Sequence, residues 1–250
     1  MIQIAVIGDV HDKQDRLDRV LERIASDPPD LALLVGDVGR DPPWAEPQRR
    51  KHRMNHDESF RQVVARVRLR LGCPVAFVPG NHDLRDTAVD IDGVNCDGRI
   101  VEAAGLRIAG FGGAGPGRFG FPYEWDEDEA DAALRALLDG AAPPDILISH
   151  TPPARTGLDR TSRGEQVGSE AVRGWIAAAR PKLFVCGHIH EAWGVERIEG
   201  ATCLNAGALG EPFGAEIVWR VQWSPEGPTG IRSFDMAPDF QPRTRDWVQF

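Results

Sequence analysis

Short apolar runs that each stop at Asp, Asn or His recur along the chain. Residues 2–7 run into Gly8-Asp9-Val10-His11, residues 31–35 into Gly36-Asp37, and residues 74–79 into Gly80-Asn81-His82-Asp83. Further on, residues 146–148 run into Ser149-His150, and residues 183–186 into Gly187-His188-Ile189-His190. Runs this short and this apolar fit strands buried on both faces of a sheet. In open α/β sheets the carboxyl ends of such strands line one edge, where ligands bind. If the five strands share a sheet, Asp9, His11, Asp37, Asn81, His82, His150, His188 and His190 converge there.

Between the runs the pattern turns helical. Residues 12–25 carry Leu17, Val20, Leu21 and Ile24 on one face, and residues 58–71 carry Phe60, Val63, Val64 and Val67. The first of these helices sits inside a βαβ unit, which predicts a parallel strand pair with a right-handed crossover. Residues 126–138 predict an acidic-fronted helix, and residues 169–179 a helix with Ser169 as N-cap. Residues 99–102 and 106–111 read as a hairpin around Ala104-Gly105. After His190, residues 194–198, 201–205, 215–223 and 230–236 alternate like antiparallel strands. A βαβ half followed by consecutive strands implies a mixed sheet or two packed sheets. Residues 1–236 read as one domain, and the tail 237–250 has no clear period.

Two stretches interrupt this order. Residues 39–59 leave directly after Asp37 as an irregular loop with the basic run Arg49-Arg50-Lys51-His52-Arg53. A solvated basic turn is the favoured reading over a lid that attracts phosphate, with His52 and His56 at the surface. Residues 115–120 match Gly-x-Gly-x-x-Gly, but Pro116 lies inside the motif and no helix follows. The stretch is therefore neither a dinucleotide fingerprint nor a P-loop. It reads as a mobile loop whose Phe119, Phe121, Tyr123 and Trp125 either contact substrate or simply pack.

Composition changes the picture only at the margins. A formal net charge of −9 on 250 residues opposes nucleic acid and anionic membrane as partners. Cys73, Cys96, Cys186 and Cys203 form no Cys-x-x-Cys pair, as expected of buried thiols in a reducing, cytoplasmic compartment. No basic region precedes the first apolar run, so it reads as a strand and not a signal peptide. No run approaches the ~18 apolar residues of a membrane span.

Five of the seven histidines stand at strand ends, which chance explains poorly. Imidazole suits zinc, iron and manganese, while carboxylate and amide oxygens suit harder ions. A mixed Asp/Asn/His set without Cys points to a catalytic metal site, not a structural zinc. The ligands are too many for one ion.

In order, Asp9-x-His11, Gly36-Asp37, Gly80-Asn81-His82-Asp83, His150 and Gly187-His188-x-His190 resemble the calcineurin-like metallophosphoesterases. His150-Thr151-Pro152-Pro153, Arg180-Pro181-Lys182-Leu183 and the motif ending in Glu191 look like the class III cyclic-nucleotide-phosphodiesterase-like branch. The resemblance implies a four-layer αββα sandwich, two mixed sheets flanked by helices. It implies two divalent or trivalent ions (Mn, Fe or Zn). Asp9, His11 and His190 would bind one, Asn81, His150 and His188 the other, and Asp37 would bridge them. The ions should lie about 3.5–4 Å apart around a bridging water that attacks phosphorus as hydroxide. His82 would act as donor or general acid. In the Ser/Thr protein phosphatases of this family an Asp stands three residues after the bridging Asp. Here that position is Arg40, with Asp41 next. That argues against a protein phosphatase and leaves Asp83 as the candidate to orient His82.

The expected activity is hydrolysis of a small phosphodiester or phosphomonoester. A metal-dependent nuclease is the alternative enzyme, opposed by the acidic balance. A metal-retaining scaffold without turnover is the non-enzymatic alternative. The sequence leaves oligomeric state open.

Overall fold

The computed structural model describes residues 1–43, 50–87, 93–117, 119–209, 216–234 and 248–249. In chain order its first elements are β1 (Ile2–Ile7), α1 (Gln14–Ile24), β2 (Leu31–Leu34), α2 (Arg50–Leu71), β3 (Val75–Phe77) and β4 (Val94–Asn95). Next come β5 (Arg99–Ala103), β6 (Leu106–Phe111), α3 (Glu127–Leu138), β7 (Ile146–Ser149), α4 (Glu170–Ala179) and β8 (Leu183–Cys186). The last are β9 (Gly194–Ile198), β10 (Ala201–Asn205), β11 (Val218–Ser224), β12 (Gly227–Phe234) and β13 (Val248–Gln249).

The strands form two mixed sheets, ordered β13-β12-β11-β1-β2-β3-β4 and β5-β6-β7-β8-β10-β9. β1 pairs with β2 in parallel, as the βαβ pattern predicts. The five strand ends do not share one sheet. β1, β2 and β3 lie in the first, β7 and β8 in the second. Alternation along each run explains why both arrangements look alike in sequence. Ile4, Val6, Leu31 and Leu33 meet Ile108, Ile146, Ile148 and Val185 in the core between the sheets. Ala5, Ile7, Ala32 and Leu34 point the other way, against α1 and α2. On the outer face of the second sheet, Leu147, Phe184 and Cys186 pack under α3 and α4. The result is the four-layer αββα sandwich.

The helix caps follow from sequence. Asp126 and Glu129 form a reciprocal capping box on α3, and Ser169 accepts from Val172 N on α4. α2 corrects the expectation for residues 39–59, because it starts at Arg50 and not near Glu58. Its first two turns carry no apolar stripe, so periodicity could not mark them. They include part of the basic run, and Arg53 there is tied to Asp86 at 3.0 Å. Trp44 and Arg49 lie outside the described residues. So does most of the 237–250 tail, whose Val248–Gln249 adds an antiparallel strand to β12.

Candidate metal centre

Packing the two sheets face to face brings their strand ends together. After β1, Asp9 and His11 both have positive φ, as do Asp12, Asp37 after β2 and His188 after β8. These five are half of the ten non-glycine residues with positive φ among the described residues. That conformation costs roughly 1–2 kcal/mol for a residue bearing a Cβ. Strain concentrated at one place points to function there. Two glycines permit the close approach. A Cβ on Gly80 would stand 2.1 Å from Asp37 Oδ1, and one on Gly187 2.3 Å from Asp9 Oδ2.

The side chains form one continuous network. Asp37 is buried, its Oδ2 3.5 Å from both His11 Nε2 and His150 Nε2. Its Oδ1 accepts from His82 N at 2.9 Å, which ties the β2 exit to the β3 exit. His150 Nε2 also lies 3.0 Å from Asn81 Oδ1. The other His150 nitrogen, Nδ1, lies 2.8 Å from the Val35 carbonyl. A carbonyl only accepts, so Nδ1 carries the proton and Nε2 faces the cluster. Asp9, fully buried, accepts from the His188 amide at 3.2 Å and lies 3.1 Å from His190 Nε2. The His188 ring sits 5.0 Å from that of His150.

Three triads have ligand atoms within 4.8 Å of one another: Asp9–His11–His190, His11–Asp37–His82, and Asp9–Asp37–His150. The triads hold six of the eight strand-end residues expected at the site, and Asn81 and His188 join them through His150 and Asp9. His82 belongs to one triad although its expected role is not that of a ligand.

The role considered for Asp83 falls to another residue. Asp41 bridges two imidazoles, with Oδ1 2.9 Å from His11 Nδ1 and Oδ2 3.3 Å from His82 Nδ1. Asp83 faces away from His82. Its Oδ2 accepts from Val38 N at 3.0 Å and Gly80 N at 2.8 Å, and its Oδ1 from Gly39 N at 3.0 Å. His56 Nε2 lies 3.1 Å from the same Oδ1. His56 is thus buried, at 1% exposure, and not at the surface. His52 is partly buried. The one signal for His56 was its place four residues before Phe60 on the inward face of α2. Asp83→Ala would leave three backbone donors and an imidazole without their acceptor. We expect a loss of about 3–5 kcal/mol in urea unfolding of the metal-free protein, with a smaller loss for Asp83→Asn.

The electrostatics suit cations. Burial disfavours the charge on Asp37, but the charges and hydrogen bonding of His150, His11 and His82 hold its carboxyl well below the usual range. Burial is likewise outweighed at Asp9, chiefly by His190. Burial also opposes charge on His11, yet the Asp41 hydrogen bond and the charges of Asp37, Asp41 and Asp9 push it up to about 10. His150, raised mainly by Asp37 against its burial, reaches about 9. His188 goes the other way, to about 3, through burial and the charge of His150. The shift favours the neutral imidazole, the form that binds a metal.

The donor set fits a metal. His11 Nδ1 faces a carboxylate, which only accepts, so it carries a proton. Nε2 of the same ring is buried and has no hydrogen-bond partner among the described residues. A carboxylate behind an imidazole whose other nitrogen makes no hydrogen bond is the usual support of a metal-binding histidine.

The aromatic loop divides. Tyr123 donates to Asp97 and Trp125 to the Gly112 carbonyl, so both pack. Phe121 lies on His82, ring centres 4.3 Å apart, and Phe119 is exposed. Arg118 lies outside the described residues.

Residues 2–192 match the family described as calcineurin-like phosphoesterase. A stretch of 137 residues, 52% of the chain, is 27% identical to an uncharacterized protein of Methanocaldococcus jannaschii, MJ1162. The match spans 62% of that relative's length. Over 227 residues the chain is 27% identical to a probable cyclic nucleotide phosphodiesterase of Synechococcus, covering 88% of this chain and 77% of that one. The crystal structure of TT1561 from Thermus thermophilus superposes with a TM-score of 0.65 at 18% identity, covering 94% of each chain.

Proposed function

The chain belongs to the calcineurin-like phosphoesterase family, and on that premise we propose that residues 1–236 form a dinuclear metal-dependent hydrolase of a small phosphoester. The carrying observation is the buried Nε2 of His11, which has no hydrogen-bond partner among the described residues, backed by Asp41 and ringed by Asp9, Asp37 and His190. Asp9, His11 and His190 would hold one ion, Asn81, His150 and His188 the other, with Asp37 shared. Manganese, iron and zinc all suit this donor set. Bound there, the ions supply Lewis acidity toward phosphate and a water of lowered pKa.

The chain's own residues do the rest. Lys13 and Arg40 line the polar cavity beside His11, His82 and His190, together with Asp12 and Asp41. Arg40 is paired with Asp12 at 2.8 Å, which leaves Lys13 as the cation to meet an anionic phosphoester. Asp41 takes the His82 Nδ1 proton as a hydrogen bond, which leaves Nε2 to serve the leaving oxygen. The name of the Synechococcus relative supports a diester over a monoester.

The test is hydrolysis of bis-p-nitrophenyl phosphate and p-nitrophenyl phosphate by chelator-stripped protein with Mn, Fe, Zn or Mg restored. Activity should vanish with the metal and return with it, faster on the diester. Two bound ions with no turnover of any phosphoester would favour a scaffold instead. The uptake of metal should itself depend on pH. With His11 raised to about 10 and His150 to about 9, both hold protons at neutral pH in the metal-free protein. A metal must displace them, so affinity should rise from pH 6 to pH 8 with protons released. Titration calorimetry in buffers of different ionisation enthalpy reads this, and a pH-independent affinity would contradict it.

A further inference from the structure

Six large apolar side chains are exposed among the described residues, and two of them, Phe119 and Val167, line the same cavity. Its volume is about 500 Å3, within the roughly 300–1,000 Å3 of small-molecule sites. Asn81 and His188 stand in its wall, so it opens directly off the metal centre. Pro116 and Phe121 extend the apolar lining. Because Phe121 lies on His82, the pair separates this cavity from the polar one lined by Lys13 and Arg40. A phosphoryl group on the centre thus has a polar, charged side and an apolar side.

The apolar side carries little free charge. Glu124 is in the wall, but its carboxylate accepts from the amides of Phe119, Gly120 and Phe121 at 2.8–3.1 Å. Phe119 is 76% exposed, leaving its ring surface to water. It lies against the Gly117 backbone, where a Cβ would stand 3.2 Å from the ring. Rings beside bare backbone form a slot, and a flat aromatic group would cover Phe119 by offset or edge-to-face contact.

We infer that this cavity holds a planar aromatic ester group of the substrate, with Phe119 and Val167 as its specificity residues. This rests on the phosphoesterase reading above and narrows its substrate class to aryl or nucleobase-bearing phosphoesters, away from sugar phosphates and phosphopeptides.

Three phosphonates that cannot be hydrolysed test it on the manganese-loaded protein: methyl-, cyclohexyl- and phenylphosphonate, with affinity read by calorimetry. Phenylphosphonate should bind about tenfold more tightly than methylphosphonate, with cyclohexylphosphonate between them. Phe119→Ala should erase most of the difference and leave methylphosphonate unchanged, and Val167→Ser should reduce it. Equal affinity for phenyl and methyl compounds would overturn the inference while leaving the phosphoesterase reading intact. So would an undiminished phenyl preference in Phe119→Ala. Cyclohexyl binding as tight as phenyl would overturn the aromatic assignment. If none of the three binds, both readings fail together.

Discussion

Asp37→Ala should lower phosphoester hydrolysis by about a thousandfold or more and reduce bound metal from two ions to one or none. The carboxylate stands between His11 and His150, 3.5 Å from each, and belongs to two of the three ligand triads. Its place between those two imidazoles suits it to the bridging role proposed above. It also has a structural duty, since its Oδ1 accepts the His82 amide. Asp37→Asn keeps that acceptor and fits the same space against Gly80, but gives up the charge. Both variants should therefore lose activity, while Asp37→Asn retains the fold and the position of the His82 loop. Metal analysis after gel filtration, beside turnover of bis-p-nitrophenyl phosphate, separates the two duties. Wild-type turnover in Asp37→Asn would remove the bridging role.

How much of this was readable beforehand follows from what each residue depends on. Asp9, Asp37, Asn81, His150 and His188 owe their positions to buried strands that stop, and such stops show in the sequence as apolar runs ending in polar groups. Division of those strands between two sheets does not show. Val6 faces the second sheet and Ile7 faces α1 and α2, and both positions are apolar in either arrangement. Asp41 depends on a turn. It lies one residue beyond the position where a related branch keeps its orienting acid, and only the path of residues 37–41 brings it between His11 and His82. Asp83 adjoins His82 in sequence, yet its carboxylate is held by the amides of residues 38, 39 and 80. His56 sits in a helical turn whose other faces are polar, so hydrophobic periodicity is silent there. The candidate ligands were legible, and the residues that hold them in place were not.

The same division of labour sets the expectation for His82. His82→Ala should slow hydrolysis by about 10²–10⁴-fold with both metal ions retained, because the seven other strand-end residues keep their mutual contacts. A general acid matters most when the departing oxygen is basic. The loss should therefore be large for an alkyl ester and small for p-nitrophenolate, which leaves without a proton. Burial opposes charge on His82, but the Asp41 hydrogen bond and the charges of Asp37 and Asp41 raise its pKa above the ordinary value, so it is suited to donate. Asp41→Asn weakens that support and the support of His11 at once. Its effect should be about 10–100-fold, with part of the loss appearing as weaker metal affinity and so repaired by excess metal. His82→Ala should show no such repair. If excess metal restored His82→Ala, or if its loss did not depend on the leaving group, His82 would be a ligand, as its place in the His11–Asp37–His82 triad allows, and the proton would have to come from elsewhere.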